Sequence, residues 1–128
     1  MRVMLTEATF DESAPVRADL EAAGFEVYPC HRRSGVCEAF TGSCPLDLVD
    51  IDVAVVVRSG GRPELTTREF GAVCAHRAGV PLLVTSADEL PPPVVPDGLI
   101  GMATAGAPRG ELVKAIQRTR QAISKHVT

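Results

Sequence analysis

Tryptophan is absent from this chain of 128 residues, tyrosine occurs once and phenylalanine four times. So few aromatic rings leave no stacking platforms of the kind that hold single-stranded nucleic acids. Positive charge is not in excess either: Lys and Arg number 13 against 16 Asp and Glu, a formal net charge of -3. The basic footprint of a phosphate-backbone binder is missing, so no nucleic-acid partner is expected. Long apolar runs are missing as well. The longest, Val53 to Val57, falls far short of the roughly 20 residues that span a bilayer, so no membrane partner is expected. In the opening Met1-Arg2-Val3-Met4-Leu5-Thr6-Glu7 the apolar stretch is too short for a secretory signal, because Glu7 closes it. What is present, 45% hydrophobic and 23% charged residues, suffices for a real core. The expectation is one soluble, cytoplasmic α/β domain over residues 1–128.

The hydrophobic pattern alternates between strands and helices. Arg2 to Thr6 reads as a short strand. Ser13 is placed to cap a helix with Pro15 in its first turn, and Val16, Leu20 and Ala23 share one helical face. Gly24 suits the left-handed position that ends a helix, and Phe25 to Pro29 follows as a second strand. Asp52 to Arg58 is continuously apolar at its centre, as a strand buried on both faces requires. Thr66 and Glu69 have the spacing of a capping box, with Leu65 and Phe70 as a hydrophobic staple. Phe70, Val73 and Cys74 are expected on the buried face of that helix, which Gly79 ends. Val80 to Thr85 reads as a fourth strand and Gly98 to Ala103 as a fifth. Between them the prolines of residues 86–97 exclude a helix and predict an extended loop. Pro108 opens a last helix, in which Leu112, Ile116, Thr119, Ile123 and Val127 recur at helical spacing. This rhythm predicts a three-layer, flavodoxin-like fold, a mainly parallel five-stranded sheet of order 2-1-3-4-5 with helices on both faces. Ligands in such sheets bind at the carboxyl ends of the strands.

Residues 30–50 break the rhythm and predict a long loop, of a length that is often functional. Cys30, Cys37 and Cys44 are spaced with six residues between each pair, and His31 adjoins the first. Thiolates and imidazole are the ligands of zinc and of iron–sulfur clusters, and a loop with glycines can fold such a set around one centre. The spacing matches no standard metal signature, so two other readings stay open. The thiols can form a redox-sensitive disulfide, most simply Cys37 to Cys44, or Cys30 to one of them. They can also stay reduced and pack as small hydrophobes. Cys74 is a poor fourth ligand. It falls about 12 Å along a helix that starts near Thr66 and is expected to point down into the sheet.

Arg58-Ser59-Gly60-Gly61-Arg62 follows the central strand. Backbone N–H groups of a glycine-rich turn can form an anion nest, and two arginines can clamp a phosphate or carboxylate. Thr85 and Ser86 can add hydroxyls to the same crevice. Gly-Gly is also ordinary strand-to-helix punctuation, and the two hydroxyls can simply bond nearby backbone. His76 is expected in solvent, and His126 to complement the dipole of the last helix. No Ser-His-Asp arrangement is readable, and Cys30 beside His31 lacks an orienting third group.

Several segments resemble the receiver domains of two-component response regulators. Val80-Pro81-Leu82-Leu83-Val84-Thr85-Ser86-Ala87 is similar to the family's fourth strand, with Ser86 at its hydroxyl position. Arg2-Val3-Met4-Leu5-Thr6-Glu7 resembles the first strand, with Glu7 where an acidic residue helps to bind magnesium, and Glu111-Leu112-Val113-Lys114-Ala115-Ile116 resembles the last helix. Two departures stand against the family's chemistry. Its phosphorylated aspartate would fall near Val57, where no carboxylate lies between Val53 and Ser59, and its lysine would fall near Ala103. Aspartyl phosphorylation needs an acceptor and a cation, so the resemblance implies the fold without phosphotransfer. The leading expectation is a non-catalytic regulatory or binding module whose cysteine loop is a metal or redox-responsive site. It would act on a protein partner or a second copy of the chain. The alternatives are a protein or enzyme that takes a small anionic ligand in the strand-end crevice, and a structural subunit of a larger complex.

Overall fold

The computed structural model describes residues 1–7, 12–29, 50–58, 69–87, 95–99, 101 and 105–127, with side chains in the last helix described as far as Thr119. The strands are β1 (Arg2–Glu7), β2 (Glu26–Pro29), β3 (Val53–Arg58), β4 (Leu82–Ser86) and β5 (Ala105–Ala107). The α-helices among the described residues are α1 (Ala14–Ala22), α2 (Phe70–Arg77) and α3 (Leu112–Val127). Short 3-10 turns cover Asp97–Leu99 and Arg109–Glu111. The sheet runs β2-β1-β3-β4-β5, and every neighbouring pair is parallel. The expected flavodoxin-like order is therefore the observed one.

Alternation along the strands splits the core into two layers. Val3, Leu5, Val53, Val55, Val57 and Leu83 face one way and pack with Val16 and Leu20 of α1 and Leu112 and Ile116 of α3. Met4, Ala54, Val56, Leu82 and Val84 face the other way and pack with Ala72 and Ala75 of α2 and with Leu99. Every residue of β3 is buried, because both faces of this central strand are covered.

Local chemistry sets the element ends. Ser13 precedes α1 and a proline occupies its first turn, as expected, but the Ser13 side chain makes no cap bond to the helix. It bonds to Glu7 instead. Gly24 and Gly79 follow α1 and α2 with φ of +90° and +76°, the left-handed conformation that glycine adopts without steric cost.

Two expectations are corrected. The fifth strand is Ala105–Ala107, while Gly98 and Leu99, expected to begin it, lie in a 3-10 turn. Leu99 is fully buried under the α2 face, so that part of the segment serves the core instead of the ladder. The strand itself, Ala-Gly-Ala, has little intrinsic preference for extended structure. It is defined by pairing with Leu83, Val84 and Thr85 of β4. Second, α2 buries Ala72 and Ala75, while Val73 is half-buried and Cys74 is exposed. Cys74 therefore does not point into the sheet. Glu69, Ala72 and Ala75 form the buried stripe at spacings of three, and the contact that Glu69 makes with β3 orients it.

Candidate functional site

Parallel order brings the carboxyl ends of β1, β3 and β4 side by side. In one row of the ladder Glu7 lies beside Val57 and Val57 beside Thr85. In the next, Arg58 lies beside Ser86. Because successive side chains alternate, Thr6, Arg58 and Ser86 belong to the α2 face, and Glu7 and Thr85 to the α1–α3 face. The expected crevice residues Thr85 and Ser86 thus serve opposite faces of the sheet.

Among the described residues, the buried polar and charged side chains are Thr6, Arg58, Glu69, Thr85 and Ser86. All of them lie at the carboxyl end of a strand or at the start of α2. Elsewhere in the same strands the buried positions are Val, Leu, Met and Ala. A buried polar group costs free energy unless it is paired, and Arg58 and Glu69 meet each other here.

Arg58 and Glu69 form the charged centre of the edge. Arg58 Nε lies 2.7 Å from Glu69 Oε2, and the two side chains are 5% and 0% exposed. The two atoms meet as close opposite charges and not along the N–H axis of an aligned hydrogen bond. This pair joins the last residue of β3 to the residue that precedes α2. Thr6, 1% exposed, shares the α2 face with it. Its hydroxyl meets no partner among the described residues, and the same holds for Thr85 on the other face.

Glu7 has a different task. Its Oε2 accepts bonds from the Ser13 backbone N–H at 2.9 Å and from the Ser13 hydroxyl at 2.6 Å. The carboxylate where the resemblance implied a magnesium ligand thus ties the end of β1 to the start of α1. Val57, near which the phosphoacceptor would fall, is 0% exposed and packs in the α1–α3 layer.

The amino end of the sheet is polar but open. Arg2 Nε donates to Glu26 at 3.1 Å and Tyr28 donates its hydroxyl to the same carboxylate oxygen at 3.0 Å. The Arg2 backbone N–H donates to Asp52 at 2.7 Å. The Tyr28 hydroxyl, and after it Arg2, hold the Glu26 carboxyl below its ordinary value. The bond to Glu26 raises Tyr28 and Arg2 above theirs. Glu26 is exposed, and Arg2 and Tyr28 are half-buried.

Of the expected site residues, Arg58, Thr85 and Ser86 are thus placed at one edge. Ser59, Gly60, Gly61 and Arg62 lie outside the described residues, as do Cys30, His31, Cys37 and Cys44. Among the described residues no three His, Cys, Asp or Glu side chains gather as a metal-binding group. Cys74 is a free thiol in solvent, and His76 is exposed as expected. Sequence reasoning missed the part played by Glu69, read as a capping-box residue, and by Thr6, read only as the carboxyl end of the first strand. The available signal was a polar residue at the carboxyl end of an apolar strand. No family model, no curated protein and no solved structure matches this chain.

Proposed function

We propose that the protein is a receiver-like regulatory or binding module without phosphotransfer, whose cysteine-rich loop is a metal or redox-responsive site controlling a partner surface. One topological observation carries this reading. β2 ends at Pro29, on the edge where sheets of this order hold ligands, and Cys30 and His31 follow it directly in the chain. Cys37 and Cys44 belong to the same connection between β2 and β3. Three thiolates and an imidazole suit zinc or an iron–sulfur cluster, and the same thiols suit disulfide exchange. The buried Val57 supports the omission of phosphotransfer, since a phosphoryl group needs an acceptor carboxylate. A protein partner or a second copy of the chain is the target this reading implies.

The test is made on protein purified without oxygen. Bound zinc and iron, the visible spectrum and free thiols are measured on one sample. Stoichiometric metal with fewer than the four free thiols the sequence supplies is the expected result. Cys37→Ser and Cys44→Ser should each lower metal content or abolish the response to oxidant. Four free thiols, no metal and no response to oxidant would sink the reading.

A second reading is favoured by the concentration of buried polar side chains at the carboxyl edge. Here the strand-end edge holds a small anionic ligand, with Arg58 and Ser86 on the α2 face and Thr85 on the other. Stabilisation against heat by anionic metabolites, without dependence on the cysteines, separates it from the first.

A further inference from the structure

A guanidinium at the carboxyl edge of a parallel sheet is a natural receptor for an oxyanion, because its N–H groups match the geometry of carboxylate and phosphate. Arg58 stands at that edge, beside Ser86 in the ladder, with the Thr6 hydroxyl on the same face. The oxyanion next to it belongs to the chain: Glu69 Oε2, 2.7 Å from Arg58 Nε. Both side chains are almost wholly removed from solvent. Taking two charges out of water is poor value for stability alone, since apolar residues of similar volume serve a core as well or better. The central strand uses apolar residues at each of its other positions, Val53 to Val57.

We propose that Arg58 is an oxyanion receptor occupied by the chain's own Glu69 carboxylate, an autoinhibitory contact. An external carboxylate or phosphate enters only by displacing Glu69. The contact bridges the end of β3 and the start of α2, so the displacement also releases the helix start from the sheet. The inference rests on the crevice reading for its location and is independent of the cysteine loop. It replaces an open anion clamp by a self-occupied one, and so sets the affinity of the native edge for small oxyanions well below that of the bare arginine.

The experiment removes the resident carboxylate. Glu69→Ala takes it away together with its volume. Thermal melting of the native protein, of Glu69→Ala and of Arg58→Met/Glu69→Ala is followed in sodium acetate, sodium phosphate and sodium chloride at equal ionic strength. Glu69→Ala should be stabilised saturably by acetate or phosphate over chloride, with an apparent affinity at least about tenfold above that of the native protein. Which of the two ions acts distinguishes a carboxylate from a phosphate ligand. The double variant should show no such preference. Equal responses to all three salts in Glu69→Ala, or a native response as strong as that of the variant, would overturn the proposal. If Glu69→Ala does not fold in chloride, its refolding yield becomes the readout. Recovery in acetate or phosphate then supports the receptor, and equal failure in all three salts rejects it. Failure here with successful anion binding elsewhere on the native protein would leave the crevice reading standing without the self-occupied arginine.

Discussion

Arg58 and Glu69 illustrate how strongly one contact can depend on both of its members. Removing either partner takes away one of two opposite charges that meet at 2.7 Å in a site almost closed to water. Glu69→Gln or Arg58→Met alone is therefore expected to destabilise the fold by about 3–5 kcal/mol. Replacing both by apolar residues, Arg58→Met with Glu69→Leu, should recover most of that loss, because no charge is left buried. Urea unfolding of the two single variants and the double variant checks this. Single and double losses that simply add would show that the two side chains do not act together. The partly exposed trio at the amino end behaves differently, through pH. Glu26 is held below its ordinary value by Tyr28 and then by Arg2, so its contribution is present above the usual carboxylate range and lost as pH falls through the lowered value. Tyr28 is raised chiefly by its bond to Glu26, so its contribution is present below its ordinary value and lost as pH rises through the raised one. The melting difference between native protein and Glu26→Gln should accordingly be small, present near neutrality, absent in strong acid and reduced in strong alkali, where the Tyr28 share is lost and the Arg2 share remains. A difference that persists unchanged into acid would rule this coupling out.

The helices show how an element is held by a few contacts in addition to its own propensity. Leu20 of α1 is fully buried in the layer it shares with α3, and Leu20→Ala should cost about 2–5 kcal/mol, as lost burial plus the cavity left behind. Asp19 links the same helix to the turn before α3: Arg109 donates to it through Nε at 2.7 Å and through a terminal nitrogen at 3.3 Å. Both side chains are about a third exposed, so Asp19→Asn is expected to cost no more than about 1 kcal/mol despite the two-pronged geometry. Denaturant unfolding should therefore rank Leu20→Ala far above Asp19→Asn, and an inverted ranking would mean that charge and not burial seats α1. On the opposite face α2 approaches the sheet through Ala72 and Ala75. Small side chains let the helix lie close, so Ala72→Leu should overpack this layer at about 1–3 kcal/mol.

The whole sheet has a protected centre and weak margins. β1, β3 and β4 are paired on both sides, while β2 and the three-residue β5 are edges. Native-state hydrogen exchange should be slowest at the amides of Val3 to Leu5, Val53 to Val57 and Leu82 to Val84, and faster in β2 and β5. Uniform exchange across the five strands would contradict a centre more stable than its edges. Among the described residues no helix is long and apolar enough to cross a membrane, as the short apolar runs led one to expect. Much of this architecture was legible in the residues. The unbroken Val53 to Val57 run specifies a strand covered on both faces, Gly24 and Gly79 mark two helix ends, and the alternation of strands and helices specifies a parallel sheet. Such signals are local: they rest on backbone preference and on hydrophobic period, which a few neighbours in sequence determine. β5 was misplaced because Ala105-Gly106-Ala107 has almost no preference of its own and becomes a strand only when β4 offers its free edge. Cys74 was expected in the core because a helix of mixed small and apolar residues has more than one face that it can bury. The partnership of Arg58 with Glu69 was hidden for the same physical reason, since nothing in the sequence tells whether a carboxylate caps its own helix or reaches across to a neighbouring strand. By itself the sequence determined the class of fold, the order of its elements and the edge at which ligands are to be sought. Tertiary structure alone decided which polar side chains meet at that edge and which charges are already matched there, because those contacts form between elements that come together only when the sheet closes.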